Sequence, residues 1–331
     1  MSETQPARRP TLGDIEQIVA ALENQGYIAG REIATAVFLS IELHKPLLVE
    51  GAAGVGKTEI AKVMARALGT DLIRLQCYEG LDVNTALYEW NYQKQMLRIR
   101  LEEQGDRTLE EKEHAIFSEP FLLRRPLLQA ITHHRPPVLL IDEVDRVDEE
   151  FEAFLLEVLS DWQITIPEIG TIRAQHVPYV VLTSNRTREL SDALRRRCLY
   201  LWIDYPDFQK ELRIVRTKVP GISRRLAEQI TAFMRLVRRL DLSKVPGVAE
   251  TLDWSAALMR LHRENLDRAS VEETIGCICK HQEDQARVRG PWLDSALAAI
   301  AEAQRDGEPM ERALERVEKT VRGGDASPRF R

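Results

Sequence analysis

The sequence predicts an α/β domain with a five-stranded parallel sheet, followed by a smaller, all-helical domain. Five short apolar runs bounded by turn residues alternate with helical patterns up to about residue 205. Beyond that point apolar residues recur at helical spacing, as in Leu226, Ile230 and Phe233. The length of 331 residues exceeds what one compact domain usually needs and favours two domains.

The predicted strands are almost wholly apolar, a pattern typical of strands that are buried on both faces of a sheet. They lie at residues 47–49, 72–75, 138–141, 180–182 and 199–203. We predict the α/β domain over residues 11–205 and the helical domain over residues 206–322. The polar residues 1–10 and the glycine-containing residues 323–331 predict flexible tails.

Composition narrows the class of protein. The 44% hydrophobic and 30% charged residues are ordinary for a soluble globular protein, and no apolar run approaches the roughly 18 residues of a membrane span. The first ten residues lack the apolar stretch of a secretory signal, so we expect a cytoplasmic location. The net charge of −6 gives no overall attraction to nucleic acid, although it leaves a local basic patch open.

The four cysteines are too few and too irregularly spaced for a disulfide framework, and we expect mostly buried, reduced thiols. They are Cys77, Cys198, Cys277 and Cys279. The histidines show no ligand spacing, so the residues favour no metal site other than one for Mg²⁺.

The strongest motif is a full GxxxxGK[ST] match directly after the first predicted strand and before a helical run. Its glycines allow a backbone loop whose N–H groups point at phosphates from the start of a helix. We therefore predict a nucleotide site for ATP, in which Lys57 reaches the β- and γ-phosphates and Thr58 offers its hydroxyl to Mg²⁺. The strand and helix around the motif disfavour an ordinary turn. The predicted nucleotide-binding residues are Gly51, Ala52, Ala53, Gly54, Val55, Gly56, Lys57 and Thr58.

A second motif places two acids at the end of an apolar strand, Asp142 followed by Glu143. Such a pair alone is more often the solvated start of a helix, but the phosphate loop upstream favours a Walker B strand. We predict that Asp142 holds Mg²⁺ and that Glu143 accepts a proton from the attacking water. The second acid favours an enzyme that hydrolyses ATP over a protein that only binds it.

With these motifs the sequence resembles the AAA+ ATPases. The resemblance implies that Asn185, at the end of the fourth strand, is the sensor 1 residue that orients the attacking water; an Asn that caps a turn is the alternative. Residues 190–198 resemble the segment that delivers an arginine finger to the ATP of a neighbouring subunit. Arg197 is the first candidate and Arg196 the second, although arginines at a helix end also favour the helix dipole without any catalytic role.

Within the AAA+ class, residues 152–159 and 163–167 look like the helix and β-hairpin that precede sensor 1 in the MoxR family. An alternating stretch over residues 87–100 fits a second hairpin near helix 2, as in that clade. Trp90, Tyr92 and the hairpin at 164–178 either contact a partner or pack on their own domain. The resemblance covers about residues 12–265.

One expected feature is missing, because Trp254 stands where many relatives carry a sensor 2 arginine. Arg260 lies six residues further and too far around a helix to replace it simply. The Asp253–Trp254 pattern is similar to the MoxR branch associated with maturation of carbon monoxide dehydrogenase and related molybdenum hydroxylases.

The resemblance implies a homo-oligomeric ring, a hexamer by family pattern, that uses ATP to remodel a metalloenzyme client with a von Willebrand factor A domain protein as adaptor. Two alternatives stay open. The hairpins and the run of arginines have counterparts in AAA+ nucleic-acid motors and loaders. The missing sensor 2 arginine suits a nucleotide-gated scaffold with little turnover, whereas Glu143 and Arg197 oppose that interpretation.

Overall fold

The computed structural model describes residues 13–101 and 116–322. The predicted tails at 1–10 and 323–331 lie outside this part of the chain. The chain divides into two compact units, with the boundary between Ile203 and Asp204. The loop residues Ala52–Gly56 group with the second unit although they lie early in the chain.

The first unit is built on a five-stranded sheet in which every neighbouring pair is parallel, in the order β2-β5-β8-β1-β9. All five predicted strands are confirmed. Their bounds are β1 Leu47–Gly51, β2 Leu72–Gln76, β5 Val138–Asp142, β8 Tyr179–Ser184 and β9 Leu199–Ile203. Strands β1 and β5 are buried along their whole length, as their continuous apolar sequence predicts.

Helices of the first unit connect and flank these strands. They are α1 Ile15–Asn24, α2 Arg31–Glu42, α3 Lys57–Leu68, α4 Val83–Leu87, α5 Tyr92–Leu101, α6 Pro126–Ile131, α7 Glu149–Asp161 and α8 Asp192–Arg197. One core cluster joins sheet residues such as Leu139 and Ile141 to Phe151 and Leu155 of α7. Burial of the apolar face of α7 against the sheet stabilises the packing of helix and sheet, and so holds the strands in place.

The hairpin predicted before the fourth sheet strand is confirmed. Strands β6 (Gln163–Ile166) and β7 (Gly170–Arg173) pair antiparallel, with Gln163 opposite Arg173. Gly170 has a φ of +99°, a conformation that side chains with a Cβ rarely adopt, at the turn between the two strands.

The hairpin predicted over residues 87–100 is wrong. Only a short strand β3, Tyr88–Trp90, forms there, and it pairs with β4, Leu122–Arg124, instead of with the residues that follow it. The rest of the stretch is helix α5, because Asn91 accepts a hydrogen bond from the N–H of Lys94 and so starts a run of good helix formers. Local capping and propensity outweigh the alternating pattern.

The two aromatic residues of this region differ in their surroundings. Trp90 is 7% exposed and its ring lies edge-on to that of Phe117, with centroids 5.3 Å apart. Tyr92 is 63% exposed at the start of α5. Trp90 therefore packs within its own unit.

The second unit is helical over the described residues. Its helices are α9 Phe208–Lys218, α10 Arg224–Val237, α11 Val248–Arg260, α12 Arg268–Thr274, α13 Gln282–Val288, α14 Trp292–Asp306 and α15 Met310–Arg322. The core contains Phe233, whose ring lies 5.5 Å from that of Trp254 and 5.7 Å from that of Trp292. Within the part of the chain that the structure describes, no helix is long and apolar enough to span a membrane.

Candidate nucleotide site

The carboxyl ends of three central strands meet at one edge of the sheet. The register places Glu50 of β1 opposite Ser184 of β8 and Ile141 of β5 opposite Leu182 of β8. Asp142 is the last residue of β5, and Asn185 directly follows β8. Parallel strands therefore bring together side chains that are distant in the sequence, at the edge where open α/β sheets bind ligands.

Lys57, the first residue of α3, is the centre of this cluster. Its Nζ donates one hydrogen bond of 2.7 Å to the carbonyl of Gly51 and another of 2.7 Å to Oδ1 of Asn185. The side chain is buried, so the ammonium group is held in place on both sides. The predicted lysine and the predicted sensor residue thus lie in direct contact.

Burial and the neighbouring carboxylates act on the pKa of Lys57 in opposite directions. Burial lowers the pKa of Lys57 below its ordinary value, and three nearby carboxylates oppose this effect. These carboxylates belong to Asp145, Asp142 and Glu143. A fixed ammonium group among them can bind phosphate oxygens and neutralise charge that develops on them.

Asp142 and Thr58 form the second part of the cluster. The Thr58 hydroxyl donates to Oδ1 of Asp142 at 3.0 Å, and the Thr183 hydroxyl donates to the same oxygen at 2.5 Å. The other carboxylate oxygen accepts a hydrogen bond of 2.5 Å from Arg74. A hydroxyl and a carboxylate in contact supply the oxygen ligands that Mg²⁺ prefers, so the residues present fit this ion.

Arg74 is a member of the site that the sequence analysis missed. It lies on β2 and contacts Asp142, the last residue of the neighbouring strand β5. A charged residue inside an otherwise apolar strand was the available signal, but only the pairing of β2 with β5 says which carboxylate it meets.

Glu143 follows Asp142 in the left-handed region, with φ +58° and ψ +48°. Its N–H donates to the hydroxyl of Thr183 at 2.9 Å, which ties the turn to β8. Its carboxylate forms an ion pair with Arg146, with Nε and Oε2 2.6 Å apart. The predicted general base is therefore held by a neighbouring cation, and must leave that cation to act on water.

Arg196 and Arg197 lie apart from this cluster. Helix α8 ends at Arg197, and β9 begins two residues later with Leu199 opposite Leu47, four residues before Gly51. At roughly 3.3 Å per strand residue, the helix end is about 13 Å along the sheet from the edge that carries Lys57. Both arginines are exposed. They are thus exposed near the end of the sheet opposite the edge that carries Lys57.

The remaining residues of the phosphate loop belong to the second unit. Gly54 and Gly56 have φ values of +75° and +95°, which glycine adopts without strain. The carbonyl of Gly54 accepts a hydrogen bond of 3.1 Å from the N–H of Ala249, in the first turn of α11. A Cβ on Gly247 would lie 2.6 Å from the carbonyl oxygen of Ala53, so the loop and the start of α11 pack backbone to backbone.

Trp254 is a core residue. It is fully buried, and its Nε1 donates to the hydroxyl of Thr274 at 2.7 Å. A different cation near the start of α11 is Arg238, whose side chain is 8% exposed and forms two 2.6 Å hydrogen bonds to Glu211. Arg238 also donates to the hydroxyl of Thr251, at 2.8 Å. The sequence analysis did not single out this buried pair.

Part of the chain matches a known family model, and the chain is similar to other proteins over a longer range. Residues 46–198 match the family model of the AAA domain, dynein-related subfamily. An uncharacterized protein of Staphylococcus haemolyticus is 25% identical over 225 residues, which are 66% of this chain and 77% of that protein. The structure of the Thermotoga maritima RuvB Holliday junction branch migration motor is 16% identical, with a TM-score of 0.44 over 88% of this chain and 83% of that one.

The matched stretch runs from just before β1 to the residue after α8, and so contains both motifs, Asn185 and the arginines. Within it, Lys57 contacts Asn185 and Thr58 contacts Asp142. The chain has the fold of an AAA+ P-loop NTPase, and it is an ATPase.

Proposed function

We propose that this ATPase is MoxR-like and works as a ring, in which each subunit supplies Arg197, with Arg196 as the second candidate, to the ATP of its neighbour. The observation that supports this proposal is the position of α8, whose end lies about 13 Å along the sheet from the edge that carries Lys57. An exposed arginine there is of no use to its own site but is available to a second subunit. By family pattern the ring is a hexamer.

The proposed chemistry is hydrolysis by an activated water. Glu143 accepts a proton from the water, Asn185 orients it, and Lys57 stabilises charge on the phosphate oxygens. Thr58 and Asp142 would hold Mg²⁺, which supplies further positive charge to the phosphates when it is bound. An arginine from the neighbour would then couple turnover to assembly.

We propose a protein client, a metalloenzyme such as a molybdenum hydroxylase, reached through a von Willebrand factor A domain adaptor in the cytoplasm. The resemblance of residues 152–167 and of the Asp253–Trp254 pattern to the MoxR family supports this proposal. The hairpin of β6 and β7 is a candidate contact, since Thr165 and Thr171 lie on its exposed face.

A nucleotide-gated scaffold is the second candidate. The ion pair between Glu143 and Arg146 favours a scaffold, because an enzyme whose general base is held by a cation hydrolyses ATP slowly. Trp254 favours it as well, because a core residue stands where an arginine would sense the γ-phosphate.

The test of the proposed ring mixes two inactive variants. Glu143→Gln subunits keep the arginine but lose the base, and Arg197→Ala subunits keep the base but lose the arginine. Recovery of ATPase activity on mixing supports a shared site. Failure to recover activity, with folding and subunit exchange verified by light scattering, contradicts it.

The test of the client uses tagged Glu143→Gln protein in ATP. Co-purification of a molybdenum enzyme or an adaptor with a von Willebrand factor A domain, lost in Lys57→Ala protein, supports the proposal. Recovery of nucleic acid alone would favour a motor or loader, and assembly without any turnover in wild type would favour the scaffold.

A further inference from the structure

We propose that two buried carboxylates, Asp145 and Glu152, are positioning residues that hold the two ends of segment 185–191. Asp145 sets Asn185 beside Lys57, and Glu152 sets the start of α8, the helix that ends at Arg197. The proposal rests on the roles proposed above for Asn185 and Arg197. It adds a physical link between the sensor of one site and the arginine offered to the next.

Asp145 holds the first end of the segment. Its Oδ2 accepts hydrogen bonds from the N–H of Asn185 at 3.2 Å, the N–H of Thr187 at 2.8 Å and the hydroxyl of Thr187 at 2.7 Å. The backbone of Asn185 is thus fixed by Asp145, while its side chain accepts from Lys57 at 2.7 Å. Loss of the carboxylate would free the residue that meets the lysine.

The second oxygen of Asp145 indicates more than a simple structural role. The residue is 3% exposed, and Oδ1 is buried without a hydrogen-bond partner in the described part of the chain. A carboxylate oxygen left this way is costly, and such groups persist where the position itself is needed. Asp145 also lies three residues after Asp142, so the same turn carries the Walker B acids.

Glu152 holds the other end. It is 1% exposed on α7, where its Oε2 accepts a hydrogen bond of 2.9 Å from the N–H of Ser191 and its Oε1 accepts from Arg188. Arg188 donates a further 2.5 Å bond to the carbonyl of Val147. Ser191 is the N-cap of α8, with its hydroxyl accepting from the N–H of Leu194. Glu152 thereby fixes where the arginine-bearing helix begins.

The two carboxylates should act on different nucleotide sites. Asp145 contacts the residues beside Lys57, so its loss lowers turnover in its own subunit. Glu152 contacts the start of a helix of six residues that ends at Arg197, so its loss lowers turnover in the neighbouring subunit. A shift of about 1 Å in a positioned group lowers a rate by up to roughly 10²-fold.

The first experiment tests Asp145 alone. We expect Asp145→Ala to lower kcat at least tenfold, with a KM for ATP within about threefold of wild type. Asp145→Asn should lose less of the kcat, because an amide oxygen can still accept hydrogen bonds from Asn185 and Thr187. Asp148→Ala is the matched control, since Asp148 is a nearby carboxylate that caps the N-terminus of α7. The proposal would be overturned if Asp145→Ala and Asp148→Ala lost kcat equally and if each loss of kcat matched the loss of thermal stability of the same variant.

The second experiment separates the two carboxylates by subunit mixing. Glu143→Gln subunits that also carry Asp145→Ala should still activate Arg197→Ala subunits, whereas those that carry Glu152→Ala should activate them at least tenfold less. Glu157→Ala, at an exposed position on α7, is the control for Glu152→Ala. Equal activation by both double variants would overturn the division of roles.

The outcomes also separate this proposal from the proposed ring. If Glu143→Gln and Arg197→Ala subunits exchange but never recover activity, the shared site fails and the role of Glu152 fails with it. The kcat and KM values of the Asp145 variants then test the proposed role of Asp145 by themselves. If the simple mixture recovers and both double variants behave alike, only the present proposal is contradicted.

Discussion

The Nζ of Lys57 and the Oδ1 of Asn185 lie 2.7 Å apart, although the two residues are 128 positions apart in the sequence. This bond joins the phosphate-binding motif to the residue that follows β8, the strand that pairs with β5 in the sheet. The same lysine contacts the carbonyl of Gly51. A change at Asn185 therefore reaches the ammonium group of Lys57 without touching the loop itself.

Removal of this contact should slow hydrolysis more than it weakens ATP binding. We expect Asn185→Ala to lower kcat by about 10- to 100-fold, because the water and Lys57 lose a fixed partner. Steady-state ATPase rates and fluorescence titration with an ATP analogue measure the two effects. Asn91→Ala, which removes only the cap of α5, should leave both unchanged. Equal losses of affinity and kcat in Asn185→Ala would contradict the assigned role.

Release of Glu143 from its ion pair should raise basal activity. Arg146 and Glu143 lie 2.6 Å apart, and the pair competes with the action of Glu143 on water. We expect Arg146→Gln to raise kcat a few-fold at low ionic strength, with a smaller difference in high salt because screening already weakens the pair. Arg135→Gln removes an exposed pair with Asp71 and serves as the control. A lower rate in Arg146→Gln would mean that the arginine supports the base.

The packing of the phosphate loop predicts an effect of one added methyl group. Gly247 has a φ of −87°, which alanine adopts freely, yet its Cβ would lie 2.6 Å from the carbonyl oxygen of Ala53. We therefore expect Gly247→Ala to weaken ATP binding about tenfold by displacing the loop, with the protein still folded. Isothermal titration with ATP and circular dichroism measure these two properties.

Gly276→Ala is the control for this experiment, because nothing lies within 4 Å of a Cβ at that position. Its ATP affinity should equal that of wild type. Unchanged affinity in Gly247→Ala as well would show that the loop tolerates the shift and would contradict the prediction.

Burial of the cysteines predicts how the thiols react with an alkylating reagent and how the stability of the protein depends on pH. Burial raises the pKa of Cys77 and Cys198 to about 12 and that of Cys279 to about 11. We expect iodoacetamide at pH 8 to modify at most Cys277 in the native protein and all four thiols in urea, as measured by mass spectrometry. Rapid native labelling of Cys77 would contradict its burial.

The same shifts fix the sign of the stability change. An unfolded thiol loses its proton near its ordinary pKa of 9.0, whereas the folded thiols keep theirs up to about 11 or 12. Stability should therefore be unaffected by these groups below pH 8 and should fall between pH 9 and 11. Replacement of Cys77 by Ser should remove part of this fall in urea titrations.

The five strands could be predicted, as could the loop before α3 and the acid at the end of β5, because each depends on neighbouring residues in the chain. Apolar runs specify buried strands, and a glycine loop before a lysine specifies a helix start. The segment that became α5 was mistaken for a hairpin because its apolar residues alternate for a few positions. The cap by Asn91 decides the structure there, and such a local hydrogen bond competes with any periodic pattern.

Other members of the site could not be predicted from local pattern. Arg74, Asp145 and Glu152 are charged residues whose partners lie on other strands or segments, so their roles depend on strand order and burial. Trp254 shows the converse. It stands in the sequence where the resemblance leads one to expect an arginine, but its large apolar ring is more stable in the core of the helical unit, where it packs on Phe233.

The most direct test of the central claim compares Mg²⁺-dependent ATP hydrolysis by wild type and Glu143→Gln over a range of protein concentrations, with ATP binding and mass by light scattering measured in the same samples. We expect wild-type specific activity to rise as rings form, while Glu143→Gln binds ATP and assembles but hydrolyses ATP at least 100-fold more slowly. Turnover by Glu143→Gln at the wild-type rate, or full activity in a wild-type monomer, would contradict the claim.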